Sequence, residues 1–431
     1  MPPSEIAPVQ CQAVNKFLMV RSYIIILVWL LTHPGSTMAQ ALSIDSCYAL
    51  ALRNYPLIKQ YELIEKTKEF TLSNAGKAYL PQISFTAIEG YVFGDFPQAP
   101  GSSDFKFIGL AQLNQTIWDG NATKTQKDII RASSEADKAS VDVALHELKS
   151  RVNQIYFGIL LVDEQLKQLE VQDTILRNNV SRIQQLNENG LAYKTDLDEI
   201  KVEQLKLNQQ RTEFNFTRKG FLMMLSLFTG VKLDENTLLQ VPVSTVTSAD
   251  MQINRPELSL FKRQRELANA KSEMRNVNLF PKIGLLGAGV IFAPGIILGP
   301  NTLSSLGVAG LNASWNIAGL YRNSNDKKLT LLEFSKINVQ EEIFLFNTRL
   351  QITQVDANIE KQKAVLADDE NIVVLRKTIR EGYQLKYDNG VSPLHDLLNA
   401  TGKESEARTQ KALHEMQLLM TLYDYKTILG N

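Results

Sequence analysis

The sequence predicts a mainly α-helical chain with a small β part, built as two structural repeats. Three observations predict it. Short motifs recur in order at one offset, two proline-free segments of about seventy residues carry helical periodicity, and each repeat holds two extended runs of ten or more residues.

The repeat is read from matched pairs. Asn54-Tyr55-Pro56 returns as Asn254-Arg255-Pro256, Leu80-Pro81-Gln82-Ile83 as Phe280-Pro281-Lys282-Ile283, Asn189-Gly190 as Asn389-Gly390, and Asp196-Leu197 as Asp396-Leu397, each 200 residues on. Leu113-Asn114 and Leu311-Asn312 lie 198 apart, so about two residues are lost in between. A unit this long is a duplicated half rather than a solenoid repeat. The division expected is an export signal at 1–39, a first repeat at 40–230, a helical connector at 231–253 and a second repeat at 254–431.

Each half opens with a helical stretch, Ser43 to Tyr79 and Pro256 to Leu279, with Asp45 and Asn254 as N-cap candidates and Pro81 and Pro281 as stops. Two extended runs follow in each half. They are Ile83 to Gly94 and Phe105 to Ile117, split by turn-rich 95–102, then Ile283 to Ala293 and Leu303 to Ile317, split by Pro294-Gly295 and Gly299-Pro300. Ile83, Phe85 and Ala87 share one face and Ser84 and Thr86 the other, whereas Ile283 to Ala293 is apolar or glycine on both. Strand pattern alone serves a membrane hairpin and a buried soluble hairpin equally. The length suits a tilted membrane-crossing strand.

The long segments Gly120 to Glu188 and Gly319 to Asp388 follow, each running roughly 100 Å as a helix. The first carries a heptad seam from Leu145 through Val152, Ile159, Leu166 and Leu176 to Ile183, broken in register by Asp173. In the second, Val339, Ile343, Phe346 and Leu350 give way to a shifted run, Ile352, Val355, Ile359, Leu366 and Val373. Ile200, Leu207, Phe214, Phe221 and Phe228 repeat every seven residues on the returning helix. This period packs helices lengthwise as coiled coils. Asn189-Gly190 and Asn389-Gly390 accept φ > 0 cheaply, so each long helix is expected to fold back as an αα-hairpin.

The segment Gly382 to Ala400, GYQLKYDNGVSPLHDLLNA, resembles the second tip hairpin of TolC-family outer-membrane channels, and Asn189 to Asp196 resembles the first tip turn. The resemblance extends over the mature chain through the helix–hairpin–helix order. It implies a long coiled-coil α-helical barrel joined to a transmembrane β-barrel formed by a trimer, four strands per protomer. It also implies that the tip turns Asn189, Gly190, Leu191, Asn389, Gly390 and Val391 meet a periplasmic adaptor protein. Asp396, with Asp196 and Asn399, would line an acidic constriction, while Tyr387 and Ser392 would take part in contacts holding the tip closed. Asn399 stands where TolC has a second aspartate and Ser392 where it has an arginine, leaving a less charged constriction and one fewer gating salt bridge. The expected role is export of substrate from an inner-membrane transporter, as in tripartite efflux or type I secretion. The expected site is the outer membrane of a Gram-negative bacterium, extending into the periplasm.

Elementary physics favours assembly. Four strands cannot close a barrel in lipid, where each unpaired backbone group costs several kcal/mol. Two copies give eight strands with a filled interior, and three give twelve. A homotrimer is the smallest assembly expected to leave a passage.

The bulk composition agrees. Lys plus Arg and Asp plus Glu number 46 each, without the basic excess of a nucleic-acid binder. Lys16 and Arg21 flank an apolar core from Tyr23 to Leu31, followed by small residues at Thr37-Met38-Ala39 or Ala39-Gln40-Ala41, the pattern of a cleaved export signal. That removal takes Cys11 and leaves Cys47 alone, so no internal disulfide is expected. No apolar run past residue 40 approaches 18 residues, so insertion must use strands.

No catalytic constellation is found. His146, His395 and His414 stand singly on predicted helices, and His395 beside Asp396 does not face it. Gly284-Leu285-Leu286-Gly287-Ala288-Gly289 lacks the residues of a phosphate loop. The chain is expected to be no enzyme and to need no cofactor or metal. The competing reading is a periplasmic coiled-coil adaptor or scaffold without a pore, which would need shorter strands in soluble β-domains.

Overall fold

The computed structural model describes residues 41–91, 93, 104–190, 192–243, 252–293 and 304–431. The predicted export signal, both turn-rich hairpin loops and Leu191 lie outside the described residues.

The opening helical stretch is divided where proline demands it. Helix α1 (Ile44–Asn54) ends before Pro56, a short 3₁₀ turn spans Pro56–Ile58, and α2 (Lys59–Gly76) continues to a second 3₁₀ turn at Lys77–Tyr79. The N-cap is Ser43, not Asp45: the Ser43 hydroxyl accepts the Ser46 N–H at 3.2 Å, leaving Asp45 in the first turn. In the second half the cap is Arg255, not Asn254. Pro256 opens α5 (Pro256–Val277), and the Asn254 N–H is engaged by Leu429 O at 2.6 Å.

Strands β1 (Gln82–Tyr91), β2 (Phe105–Trp118), β3 (Lys282–Ala293) and β4 (Ser304–Ser314) form one antiparallel sheet in sequence order. The expected run to Ile317 stops at Ser314, because Ile317 already takes helical dihedrals as the cap of the next helix. A register shift at Thr116/Trp118 marks where β2 leaves β3 for the helices.

The helical part is two hairpins. α3 (Ala122–Glu188, 67 residues) returns as α4 (Lys194–Thr229), and α6 (Ala318–Asp388, 71 residues) as α7 (Leu394–Leu429). α3 packs on α2, α4, α5 and α7, and its seam residues Leu145, Val152, Ile159, Leu176 and Ile183 are buried. Asp173, the break in that seam, is held by Arg177 at 2.8 Å and by Arg211 of α4 at 3.0 Å. The two parts of the α6 pattern part company. Ile359 is buried, but Val339, Ile343, Phe346 and Leu350 are more than half exposed on the protomer.

Among the described residues the connector is not helical. Gly230 at φ +71° ends α4, and its Cβ would meet Asn54. The chain then runs irregularly beside the first residues, with Leu42 N–H bonded to Leu238 O at 3.0 Å and Gln240 N–H to Leu42 O at 3.1 Å. The Arg218 guanidinium, bonded to Asp163 at 2.5 Å, also donates to Glu235 O and Thr237 O, so backbone carbonyls are satisfied without a helix. The ring of Tyr156, fully buried in the main core, places its hydroxyl 2.8 Å from Leu42 O and 2.6 Å from Gln240 O. Replacing Tyr156 by Ala removes the ring and this tie together, and about 3–5 kcal/mol of stability should go with them. Thermal unfolding of the detergent-solubilised protein measures it, with Tyr156→Phe, which keeps the ring, losing far less.

Candidate functional site

The end of the molecule farthest from the sheet is built by two equivalent turns. Gly190 and Gly390 have φ of +72° and +68°, the left-handed geometry that ends a helix without a Cβ clash. The side-chain amides of Asn189 and Asn389 donate back to Gln185 O at 2.8 Å and Leu385 O at 2.7 Å, satisfying carbonyls at the helix ends. Gly390 and Val391 N–H close the second turn on Tyr387 O and Lys386 O, and the Val391 side chain is 75% exposed.

Asp196 and Asp396 each occupy the first turn of a return helix, where the helix dipole favours a carboxylate. Asp196 accepts the Tyr193 N–H at 3.0 Å, and Asp396 accepts the Ser392 hydroxyl at 2.8 Å. Ser392 is thus joined to Asp396 within its own hairpin. Asn399 lies three residues beyond Asp396, on the same side of α7, and is exposed.

The two hairpins are tied by a patch that sequence reasoning missed. Arg182 of α3 forms an ion pair with Asp388 at the end of α6 and lies 6.0 Å over the Tyr387 ring. Gln384 steadies the same Asp388 carboxylate at 2.7 Å. On the other side His395 Nδ1 of α7 meets Glu199 Oε1 of α4 at 2.9 Å. Beneath these polar ties lies an apolar cluster drawn from both hairpins, with Leu176, Ile183, Ile200 and Leu394 buried and Tyr387 half-buried against it. Burial pushes the Tyr387 phenol above its ordinary range, and the nearby Asp196 charge adds to this while Arg182 opposes it. Tyr387 therefore stays a neutral phenol beside the boundary between the hairpins.

Farther from the tip, α6 and α7 are riveted by Glu404, whose side chain is 4% exposed and accepts from Arg380 at 2.6 Å and Arg408 at 2.7 Å. Burial alone would raise its pKa; the two guanidiniums outweigh this and hold it below the usual carboxylate value. Ser405 donates to Gln172 of α3 at 2.6 Å, so α7 is also fixed to the first hairpin.

The signals for these partners were faint. Arg182 directly precedes the seam residue Ile183, and Asp388 precedes the Asn-Gly turn, but nothing local couples residues 206 apart. His395 read as an isolated tip histidine, and its partner Glu199 carries no motif.

Among the described residues no group of three or more His, Cys, Asp or Glu is placed to hold a metal, and no helix is long and apolar enough to cross a membrane. The arrangement is two hairpins joined by a small apolar cluster and a few polar contacts.

No protein-family model matches the chain. By sequence it is similar to the alkaline protease secretion protein AprF of Pseudomonas aeruginosa, 24% identical over 272 residues. The match covers 57% of this chain and 55% of AprF, so it spans about half the length of that relative. By structure it resembles the CmeC outer membrane channel of Campylobacter jejuni, with 16% identity and a TM-score of 0.63 over 90% of this chain and 85% of that one. It also resembles the outer membrane protein VceC of Vibrio cholerae, with 14% identity and a TM-score of 0.64 over 90% and 96%. The chain has the fold of the TolC-family outer-membrane channels.

Proposed function

We propose that the chain is the protomer of a homotrimeric outer-membrane channel that carries substrate from an inner-membrane transporter to the outside, with a periplasmic adaptor docked on its tip turns. The observation that carries this reading is the sheet. β1 and β4 are open edges on four strands of 10 to 14 residues, long enough to cross a membrane when tilted, and only in company can their backbone groups be satisfied in lipid. Three copies supply twelve strands, enough to close around a passage. The exposed α6 seam supports the same assembly, since Val339, Ile343, Phe346 and Leu350 keep coiled-coil spacing yet stay more than half exposed on the protomer.

The likeness to outer-membrane channels supports the location, and the AprF match supports secretion as one form of export. Opening is a movement of the tips: the hairpins splay when the contacts between them are exchanged for contacts with the adaptor. Asp396, Asn399 and Asp196 are the proposed constriction residues, and Tyr387 with Ser392 supports the closed tip.

The direct test is purification of the mature chain from outer membranes. The expected results are a detergent-stable trimer that migrates differently after heating and steps of conductance in planar bilayers. A monomer soluble without detergent overturns the reading.

A pH dependence follows from His395. Its bond to Glu199 raises its pKa above the ordinary imidazole value, with the Asp396 charge adding in the same direction. A raised folded-state value means the tie is fully present below the free imidazole pKa and is lost as pH rises through the folded one. Open probability should therefore climb as pH rises above the ordinary imidazole value of about 6.5. Bilayer recordings of His395→Ala should show that slope flattened.

A further inference from the structure

A cleft beside the connector belongs neither to the tip nor to the sheet. It encloses about 530 Å³, within the roughly 300–1,000 Å³ of ordinary small-ligand sites. Leu166 of α3 and Asn215, Phe216, Arg218 and Lys219 of α4 line it, with Glu235 and Asn236 of the connector. The connector wall is shaped before any ligand enters. Residues 234–237 form a closed turn, in which the Thr237 N–H bonds to Asp234 O at 3.1 Å. The Asp234 carboxylate accepts the Asn236 N–H and the Thr237 hydroxyl, each at 3.1 Å. The Arg218 guanidinium clamps the turn to α4 through Glu235 O and Thr237 O.

The charges of the lining are already matched. Arg218 is engaged by Asp163, and Lys219 pairs with Glu235 at 3.3 Å. With these partners the cleft is neutral and draws neither an anion nor a cation. What it leaves open is of another kind. The Phe216 ring is 70% exposed, and Leu166, a seam residue, is only half-buried. Asn215 and Asn236 are exposed, and among the described residues their side-chain amides make no hydrogen bond within the chain. Each amide offers two N–H donors and a carbonyl acceptor.

A ligand that fits is uncharged, rich in hydrogen-bonding groups, and flat and apolar on one side. A β-linked pyranose has these properties, since its axial C–H groups make an apolar face and its rim carries hydroxyls. An N-acetyl group suits the cleft further, its amide matching Asn215 or Asn236 and its methyl matching Leu166. We propose that the cleft is a binding site for a glycan of neutral, N-acetylated sugars. It lies about 65 Å along α3 from the sheet and about 33 Å from the tip turns. Under the channel reading, on which the source of the glycan rests, that level is deep in the periplasm. There the cleft ties the channel to the glycan strands of the cell wall, out of reach of sugars carried on the membrane.

The detergent-solubilised trimer tests it. Calorimetry should show saturable binding of N-acetylchitotetraose, with cellotetraose, which has hydroxyls in place of the acetamido groups, roughly threefold weaker or more. Phe216→Ala should weaken binding at least about tenfold, and Phe216→Tyr should retain it. Asn215→Ala with Asn236→Ala should also weaken it. Tyr193→Ala, which removes a comparably exposed aromatic ring at the tip, should leave it unchanged. Purified cell-wall sacculi should co-sediment the wild-type trimer and not Phe216→Ala. Binding of the tetraose without retention on sacculi keeps the site but overturns the wall as its occupant. No saturable binding of the tetraose, or binding that Phe216→Ala leaves intact, overturns the site. Absence of trimers or of conductance in the same preparations counts instead against the channel reading, because the cleft is complete within one protomer.

Discussion

Ala111→Arg should abolish assembly in the outer membrane, whereas Gln112→Arg, one residue along the same strand, should be tolerated. Ala111 stands at mid-strand on β2, beside Phe85 and Gly289 on the apolar face. An arginine there sits near the bilayer midplane, six residues from one strand end and seven from the other, too deep for its side chain to reach either interface without distortion. The cost of such a charge on the lipid face of a barrel is about 2–4 kcal/mol, and a trimer bears it three times, roughly 6–12 kcal/mol. That matches or exceeds the whole stability margin of an ordinary domain. Gln112 pairs with Ser84 and Ala288 on the opposite face, where an arginine meets water and the cost is small. Heat-modifiable migration of the membrane fraction reads the outcome. Equal insertion of both variants would show that the two faces are not lipid and lumen, and the barrel reading would fall with them.

The contrast between these neighbours marks what the sequence could and could not convey. On β1 the alternation of Ile83, Phe85 and Ala87 with Ser84 and Thr86 is legible at once, because each face has its own solvent. β3 is apolar or glycine on both faces and names neither. Its assignment comes from hydrogen-bonded register with β2, such as Gly289 opposite Ala111, which is a property of pairing and not of the strand. The same division holds at the tip. Gly190 and Gly390 were legible because a positive φ is a local requirement with a local solution. The seam of α3 was legible because its period is written in consecutive turns. The N-caps slipped by one or two residues, since Ser43 and Asp45 are both good caps and the choice is made by which oxygen reaches an N–H. The connector was read as helical because its true partners, Leu42, Tyr156 and Arg218, are distant in sequence. Ion pairs between surface charges carry no pattern at all, and for this reason Arg182 escaped notice.

Arg182→Ala should open the tip. Ser392 spends its hydroxyl on Asp396 of the same hairpin. Arg182 is one of the polar ties from hairpin to hairpin, reaching Asp388 and covering the Tyr387 ring. Its side chain is 39% exposed and that of Asp388 31%, so solvent screens the pair and the combined contact is worth about 1 kcal/mol per protomer. Three copies acting together give about 3 kcal/mol, roughly a hundredfold change in the ratio of open to closed tips. The apolar cluster of Leu176, Ile183, Ile200 and Leu394 is untouched by the substitution, so the trimer should assemble normally and differ only in conductance. Asp388→Ala should act in the same direction. The exchanged pair Arg182→Asp with Asp388→Arg should return conductance toward the wild-type level, which a merely structural effect of either residue would not do. Unaltered conductance in Arg182→Ala would mean that the tip is held closed by contacts between protomers rather than by this tie within each one.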